Sequence, residues 1–304
     1  MTTPILTPTS APTPERLLQR IEWQVIRRLD GVLQGDYRSL FYGYGVDFAD
    51  LREYQPGDDV RYIDWNVTAR MDAPYVRQYT EDREITAWFL LDLSPSMDFG
   101  TVRSLKRTML VDLVATLARL LTRHGNRVGA IFYGGRVERT IPAGGGRIQV
   151  LRLINDLFKQ PQLASAPFTD LTPLLGAGLH AIKRRSLVFI ISDFITAPGW
   201  ERLLSLLNRR HDVVAIRLWD PREVELPDVG PVIMEDAETG ERLYVDTHDR
   251  GFRRRFREAG RRREAELNDL FKRAGVDALP LSTEEDLVRA IVRFATLRQR
   301  RKGS

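Results

Sequence analysis

The chain has 304 residues, which is long enough for two structural units, and a hydrophobic fraction of 43%, which is enough for a substantial buried core. Its 46 basic and 41 acidic side chains leave a formal net charge of +5, a mild excess for a nucleic-acid binder. Because the chain contains no cysteine, disulfide bonds, thiolate metal sites and cysteine nucleophiles are excluded.

The first residues do not have the features of a targeting signal. Residues 1–14 are rich in Thr and Pro and lack both a basic segment and an apolar segment, so we predict a short disordered leader. No stretch of the chain approaches the roughly 18 uninterrupted apolar residues that a membrane-spanning helix requires. Together these observations predict a soluble, cytoplasmic protein.

Residues 15–84 combine a helix with a segment of different texture. Apolar residues recur every four positions over 15–29, which predicts a helix that ends near Gly31. From 35 to 83 the sequence is rich in Gly, Tyr, Asp and Arg, which predicts irregular β structure with tight turns. We therefore predict that 15–84 is a small amino-terminal segment in front of a main domain.

From residue 85 onward, apolar runs that predict strands alternate with amphipathic stretches that predict helices. This alternation is typical of an α/β fold in which a mostly parallel sheet carries helices on both faces, and we assign residues 85–304 to it. The predicted strands cover 85–92, 127–133, 136–141, 186–194, 212–220 and 276–281. The predicted helices cover 101–124, 144–158, a stretch that ends near 184, 200–208, 249–273 and 282–297.

Three local patterns add detail to this main domain. A hairpin is predicted over 231–246, with its turn at Glu238 to Gly240. Ser282 and Glu285 predict a capping box at the start of the last helix. The inner face of the helix over 144–158 is predicted to consist of Ile148, Leu151, Ile154 and either Leu157 or Phe158.

Two of the apolar strands end on a carboxylate. Asp92 and Asp193 would lie at the same edge of the sheet, where open α/β sheets place their ligand sites. Two such carboxylates repel each other unless a cation lies between them. Ser94, Ser96 and Thr169 add hydroxyl oxygens, and an all-oxygen set of this kind suits Mg²⁺ or Mn²⁺. The alternative is that the serines cap a helix while the aspartates close their strands through hydrogen bonds.

The motif "DLSPS" at 92–96 matches the D-x-S-x-S signature of the metal-ion-dependent adhesion site, and residues 85–297 resemble a von Willebrand factor type A domain, a Rossmann-like fold. The resemblance implies that Ser94, Ser96 and Thr169 bind the metal, with Asp92 and Asp193 binding directly or through water. Thr172 is the alternative to Thr169, because the glycine expected before the threonine is missing at both places. One coordination position is expected to stay open for an acidic side chain of a partner.

The stretch "FYGYGVDFADLREYQPGDDVRYIDWNVTARM" resembles the signature of the bacterial domain-of-unknown-function family fifty-eight. Members of this family are often encoded beside MoxR-type AAA+ ATPases. The resemblance implies a chaperone-like role in which the partner is such an ATPase or its client. The charged and aromatic residues of this stretch are predicted to form a structural ion-pair and hydrogen-bond network that docks the segment on the main domain, and a recognition surface is the alternative: Arg52, Asp58, Asp59, Arg61, Asp64, Trp65 and Arg70.

We expect a non-enzymatic, metal-dependent protein-interaction module, and two other functions are alternatives. A Mg²⁺-dependent phosphatase-like hydrolase would also begin with a strand ending in Asp, but it needs a second Asp where this chain has Ser94. A nucleic-acid-binding protein could use the Arg-rich stretch over 250–266 and the basic tail. Glutamates interrupt that stretch and no aromatic stacking platform accompanies it, so a solvated helical face is favoured.

Overall fold

The computed structural model describes residues 13–33, 51–56, 58–60, 63–71, 73–77, 84–101, 104–163 and 169–302. The predicted leader therefore lies almost wholly outside the described residues. The helices are α1 (Pro14–Ile21), α2 (Arg27–Leu33), α3 (Trp65–Thr68), α4 (Lys106–Arg123), α5 (Gly146–Phe158), α6 (Thr172–Ala181), α7 (Glu201–Arg210), α8 (Arg250–Ala274) and α9 (Leu287–Lys302). The strands are β1 (Leu51–Glu53), β2 (Tyr75–Arg77), β3 (Thr86–Asp92), β4 (Arg127–Tyr133), β5 (Val137–Gly144), β6 (Leu187–Ser192), β7 (Asp212–Trp219), β8 (Pro231–Glu235), β9 (Arg242–Asp246) and β10 (Asp277–Ser282).

The main unit is built on a six-stranded sheet in the order β10-β7-β6-β3-β4-β5. Strand β5 runs antiparallel to β4, and the other neighbouring pairs are parallel. The chain leaves β3 toward β4 on one side and leaves β6 toward β7 on the other. The strand order therefore reverses between β3 and β6, which is where open α/β sheets form a crevice at their carboxyl edge. The predicted α/β fold with a mostly parallel sheet is confirmed.

Helices cover both faces of this sheet. On one face Trp88 and Leu90 of β3 belong to a core cluster that includes side chains of α6, α7 and α8. On the other face Phe89 stacks on Phe189 of β6, with ring centroids 5.3 Å apart, and side chains of α4 and α9 pack nearby. Because both faces are buried, the central strands are apolar at every position except their ends, as is typical of a parallel sheet.

The amino-terminal helices pack in the main unit. Helix α1 continues through a π-helical turn, Glu22–Ile26, into α2, so the helical segment passes through Gly31 instead of ending there. Most of its leucines and isoleucines are buried, whereas Trp23 is exposed. Ion pairs join the segment to α4, including Arg20 to Asp112 and Glu22 to Arg119. The sequence predicts that this helix belongs with the segment up to residue 84. In the structure the helix belongs to the main unit, and the second unit is Tyr42–Glu84.

The second unit, Tyr42–Glu84, contains the antiparallel pair β1 and β2. Its clearest ion pair is bidentate, because the Arg52 guanidinium donates to both oxygens of Asp58 at 2.8 and 2.6 Å. Asp64 accepts the N–H of Val67 at 3.2 Å and so holds the start of α3. Both contacts lie inside the segment, so the predicted docking network stays a prediction, and Arg61 lies outside the described residues. Trp65, in contrast, has 69% of its surface exposed.

Two helices begin later than predicted. A 3₁₀ turn, Pro95–Asp98, follows β3, so α4 starts at Lys106 and not near residue 101. Helix α9 starts at Leu287, where the Asp286 carboxylate accepts the N–H of Arg289 at 3.1 Å. The predicted capping box of Ser282 and Glu285 is therefore wrong, because the residue that caps this helix is Asp286.

The predicted inner face of α5 is confirmed at Ile154 and Leu157, is wrong at Ile148, and is only half-buried at Leu151. Ile148 is 84% exposed, and the buried apolar residues of this helix are Val150, Leu153, Ile154 and Leu157. The polar Gln149 turns inward because its amide donates to the carbonyl oxygens of Val128 and Pro142, each at 2.9 Å.

In the part of the chain that the structure describes, no helix is both long enough and apolar enough to cross a bilayer.

Candidate metal centre

Asp92 lies at the end of β3 and is fully buried. Its Oδ1 accepts the backbone N–H of Ser94 at 3.0 Å, and its Oδ2 accepts the hydroxyl of Ser192 at 2.6 Å. Burial, and after it the negative charge of Asp193, raises the pKa of Asp92 to about 6. A buried carboxylate with a raised pKa beside another carboxylate is the electrostatic setting that a cation relieves.

The two serines of the DLSPS motif bring their hydroxyls together. The Oγ atoms of Ser94 and Ser96 lie 3.2 Å apart, and both side chains are buried. The 3₁₀ turn that follows receives no hydrogen bond from the Ser94 side chain, so capping does not account for that hydroxyl. Instead, the N–H of Ser94 closes a tight turn onto Asp92, and this turn aims the hydroxyls at the carboxyl edge of the sheet.

Thr169 is held against the loop that follows β6. Its carbonyl oxygen accepts the hydroxyl of Thr196 at 2.8 Å and the N–H of Ala197 at 2.9 Å. The hydroxyl of Thr169 is buried and donates to Oε1 of Glu238 at 2.8 Å. Thr172 instead starts α6, where its N–H bonds to Asp170 at 2.8 Å. Of the two threonines, Thr169 is thus the one that the structure places beside the motif.

Asp193 lies at the same edge, but its carboxylate is engaged elsewhere. Oδ1 accepts the N–H of Ile195 at 3.0 Å, and Oδ2 accepts the ammonium of Lys106 at 2.7 Å. Lys106 is itself buried and also pairs with Glu223. Burial lowers the pKa of Lys106, but the two carboxylates outweigh this effect and leave the pKa above its ordinary value. Asp193 is therefore a charged neighbour of Asp92 that a lysine holds in place.

The backbone next to Asp193 is strained. Phe194 has φ = 56°, in the left-handed region that a bulky residue rarely adopts. Its ring packs on Trp200 and Phe271, with centroid distances of 5.4 and 5.0 Å, and its N–H donates to the hydroxyl of Ser192. Aromatic packing thus holds a sharp turn that directs Ser192 and Asp193 to the edge of the sheet.

Three residues of this region were not predicted. Ser192 directly precedes Asp193, and pairing β6 beside β3 in parallel register would have placed it next to Asp92. Lys106 is buried in a helix that the sequence predicts from its apolar residues alone, and those residues give no sign of a buried lysine. Glu238 comes from the turn of the predicted hairpin, 142 residues from Ser96, and no local pattern connects the two.

The donors at this edge fit a small divalent cation. Among the described residues, no three His, Asp or Glu side chains converge on a possible metal position, so carboxylates alone would not form the site. The carboxylates of Asp92 and Glu238 instead lie beside the hydroxyls of Ser94, Ser96 and Thr169. Oxygen ligands of this type suit Mg²⁺ or Mn²⁺, and the buried Oε2 of Glu238 has no hydrogen-bond partner in the described structure.

An α/β domain with an oxygen-rich site at the reversal of its strand order is thus the class that the fold and site define. Residues 50–266 match the family described as "Protein of unknown function DUF58", and the chain belongs to this family. An uncharacterized protein of Mycobacterium tuberculosis is 38% identical over 283 residues, which cover 93% of this chain and 89% of that relative. A second, from Mycobacterium avium, is 35% identical over 54% of this chain and 95% of its own length.

Two solved structures match this chain distantly and share little sequence with it. The protein BatB from Bacteroides thetaiotaomicron is 15% identical, with a TM-score of 0.46 over 71% of this chain and 99% of that protein. An aerotolerance-related membrane protein from Bacteroides fragilis is also 15% identical, with a TM-score of 0.47 over 70% of this chain and 99% of that one.

Proposed function

We propose that this protein is a non-enzymatic interaction module that binds a partner protein through a Mg²⁺ or Mn²⁺ ion at the edge of β3 and β6. One observation carries the proposal. The carboxylate of Asp92 and the hydroxyls of Ser94 and Ser96 lie together in one motif where the strand order reverses, and Glu238 links the hydroxyl of Thr169, from a distant segment, to that motif. Buried hydroxyls and carboxylates brought together in this way are the ligands that hard cations prefer.

Each residue has a distinct part in the proposed site. Ser94, Ser96 and Thr169 supply neutral oxygens, and Asp92 supplies negative charge. Asp193 acts on the ion through a bridging water or through the electrostatic field of its charge, because its own oxygens bond to Lys106 and Ile195. The bound ion would supply a hard Lewis acid that attracts a carboxylate. A ligand set with few carboxylates leaves the ion with excess positive charge, which favours an acidic side chain of a partner.

Among α/β domains, we propose that this one is of the von Willebrand factor A-like type with a metal-ion-dependent adhesion site. The DLSPS motif at 92–96 supports it, as does an antiparallel edge strand, β5, on an otherwise parallel sheet. Membership of the family described above supports a MoxR-type AAA+ ATPase, or a client of that ATPase, as the partner. The proposed role is to assist the assembly or maturation of protein complexes.

A binding experiment tests this proposal. Purified protein is immobilised as the wild type, as Ser96→Ala and as Ser205→Ala, and the MoxR-type ATPase of the same organism is passed over it in Mg²⁺ or in EDTA. Ser205 is a matched control, because it lies in α7 and its hydroxyl donates to the carbonyl of Glu201 in the same helix. We expect retention in Mg²⁺ by the wild type and by Ser205→Ala, with at least a tenfold loss for Ser96→Ala and in EDTA. Equal retention by all three proteins in EDTA and in Mg²⁺ would contradict the metal bridge.

A further inference from the structure

Glu238 brings a carboxylate of the chain itself into the candidate metal centre. Its Oε1 accepts the hydroxyl of Thr169 at 2.8 Å and the backbone N–H of Ser96 at 3.2 Å. These contacts span 69 and 142 residues of sequence, so they join the hairpin turn to two separate segments of the site. The side chain thus lies against both the DLSPS motif and Thr169.

The hairpin turn is organised so that Glu238 points inward. The carboxylate of Asp236 accepts the N–H of Glu238 at 3.0 Å and the N–H of Thr239 at 2.8 Å. The N–H of Gly240 bonds back to the carbonyl of Asp236 at 2.8 Å, and Gly240 has φ = 73°, which a residue with a side chain would adopt only with strain. These hydrogen bonds fix the turn and direct the Glu238 side chain toward Thr169 and Ser96.

The hydrogen bonds of Glu238 leave half of its carboxylate unsatisfied. The side chain is 93% buried, since only 7% of its surface is exposed. Oε2 is buried and has no hydrogen-bond partner among the described residues, and none of the ion pairs in the described structure neutralises this carboxylate. A buried carboxylate oxygen without a donor is strongly unfavourable. A cation beside the hydroxyls of Ser94, Ser96 and Thr169 would satisfy it.

The rest of the hairpin is attached to the protein lightly. Most side chains of β8 and β9 are exposed, including Ile233 at 67% and Tyr244 at 71%. At its base the hairpin is held by Val245, which is buried, and by Thr247, whose hydroxyl donates to the carbonyl of Gly230 at 2.7 Å. A two-stranded hairpin with so little apolar burial contributes little stability of its own. Displacing its tip therefore sacrifices few contacts apart from those of Glu238.

We infer that Glu238 is a built-in carboxylate ligand of the metal centre and fills the position intended for a partner's acidic side chain. The hairpin over 231–246 then closes the site in the free protein, and a partner binds by replacing Glu238 with its own carboxylate. This inference rests on the proposed function, because it requires a divalent cation among Ser94, Ser96 and Thr169. It adds an internal competitor, which limits binding to partners that can displace the hairpin tip.

The inference is tested with Mn²⁺ as the probe, using the full chain as wild type, Glu238→Gln and Glu241→Gln. Glu241 is a matched control, because it lies in the same turn, carries the same charge and is exposed. Three quantities are measured for each protein: the Mn²⁺ affinity, the water-proton relaxivity per bound Mn²⁺, and the fall in that relaxivity on titration with sodium acetate. Unfolding curves recorded in EDTA check that each variant is folded.

For Glu238→Gln we expect about a tenfold loss of Mn²⁺ affinity, a higher relaxivity because water enters the vacated position, and displacement of that water by acetate. The wild type and Glu241→Gln should retain low relaxivity and respond to acetate only at much higher concentration. If the wild type binds Mn²⁺ and Glu238→Gln matches it in all three measurements, the inference is overturned while the metal centre stands. If the wild type binds no Mn²⁺, the proposed function and the inference are both overturned.

Discussion

The hydroxyl of Ser192 donates to Oδ2 of Asp92 over 2.6 Å, although 100 residues separate the two in sequence. This bond joins the carboxyl ends of β6 and β3, the two strands between which the order of the sheet reverses. It also supplies a buried carboxylate with one of its donors, so the geometry of the candidate site depends on the pairing of these two strands.

Removing the donor should therefore weaken the fold. We expect Ser192→Ala to lower the free energy of unfolding by about 1–3 kcal/mol, because Asp92 stays buried with one hydrogen bond fewer. Urea unfolding in EDTA measures the change, and Ser205→Ala provides a serine outside the site as control. A change for Ser192→Ala no larger than that of the control would show that this bond adds nothing to stability.

Lys106 should be one of the most sensitive positions in the main unit. It is 1% exposed and pairs with two carboxylates, Asp193 and Glu223. We expect Lys106→Met to lower the free energy of unfolding by about 3–5 kcal/mol, because it leaves both carboxylates without their buried counter-charge. Lys183→Met, at an exposed position, should change it by less than about 0.5 kcal/mol. Comparable unfolding midpoints for the two variants would refute this account of the pair.

Phe194→Gly should be more stable than Phe194→Ala, which is the reverse of the usual order for these two substitutions. Phe194→Ala removes an aromatic ring from a buried cluster and should destabilise the protein by about 3–5 kcal/mol. Phe194→Gly loses the same ring but relieves the strain at φ = 56°, so we expect it to be about 1 kcal/mol more stable than Phe194→Ala. At Leu267, within helix α8, the order should be the normal one, with glycine about 1 kcal/mol worse than alanine. Urea unfolding of the four variants decides this, and a more stable alanine at both positions would rule out strain at Phe194.

Asp220 should contribute to stability in a pH-dependent way. Its fully buried carboxylate accepts the hydroxyls of Thr101 and Thr283, each at 2.7 Å, and the N–H of Arg222 at 2.9 Å. Burial alone raises the pKa of Asp220, but these hydrogen bonds favour the charged form and leave the pKa below its ordinary value. A lowered pKa in the folded state means stability that is present above about pH 3.9 and is lost as the pH falls through the lowered value.

The test is the difference in unfolding free energy between wild type and Asp220→Asn, measured from pH 7 to pH 2. We expect the wild type to be more stable at pH 7 and this advantage to shrink below about pH 4, as the Asp220 carboxylate becomes protonated. An advantage that stays constant down to pH 2 would mean that the charge of Asp220 is not what stabilises the folded state.

The sheet and the hairpin could be predicted because their signals are local. Uninterrupted apolar runs identify β3 and β6 as strands buried on both faces, and the turn residues near Gly240 identify the hairpin. The first turn of α5 could not be predicted from polarity, since Gln149 enters the core by bonding to two backbone carbonyls while Ile148 faces solvent.

The residues of the candidate site also divide into those with a local sequence signal and those without one. Asp92, Ser94 and Ser96 stand within one short motif, and their proximity follows from it. Glu238 and Lys106 reach this edge only through tertiary packing, the first from the hairpin turn and the second from the first turn of α4. Their long separations in sequence leave no periodicity or spacing by which they could be found. The metal-ligand set itself stays a prediction.

The most direct test of the central claim is a calorimetric titration of the metal-free protein with Mn²⁺, using wild type, Ser96→Ala and Ser205→Ala. The account predicts that the wild type and Ser205→Ala bind one ion with the same affinity and that Ser96→Ala binds it at least about tenfold more weakly. Absence of binding by the wild type, or equal affinity for all three proteins, would contradict the account.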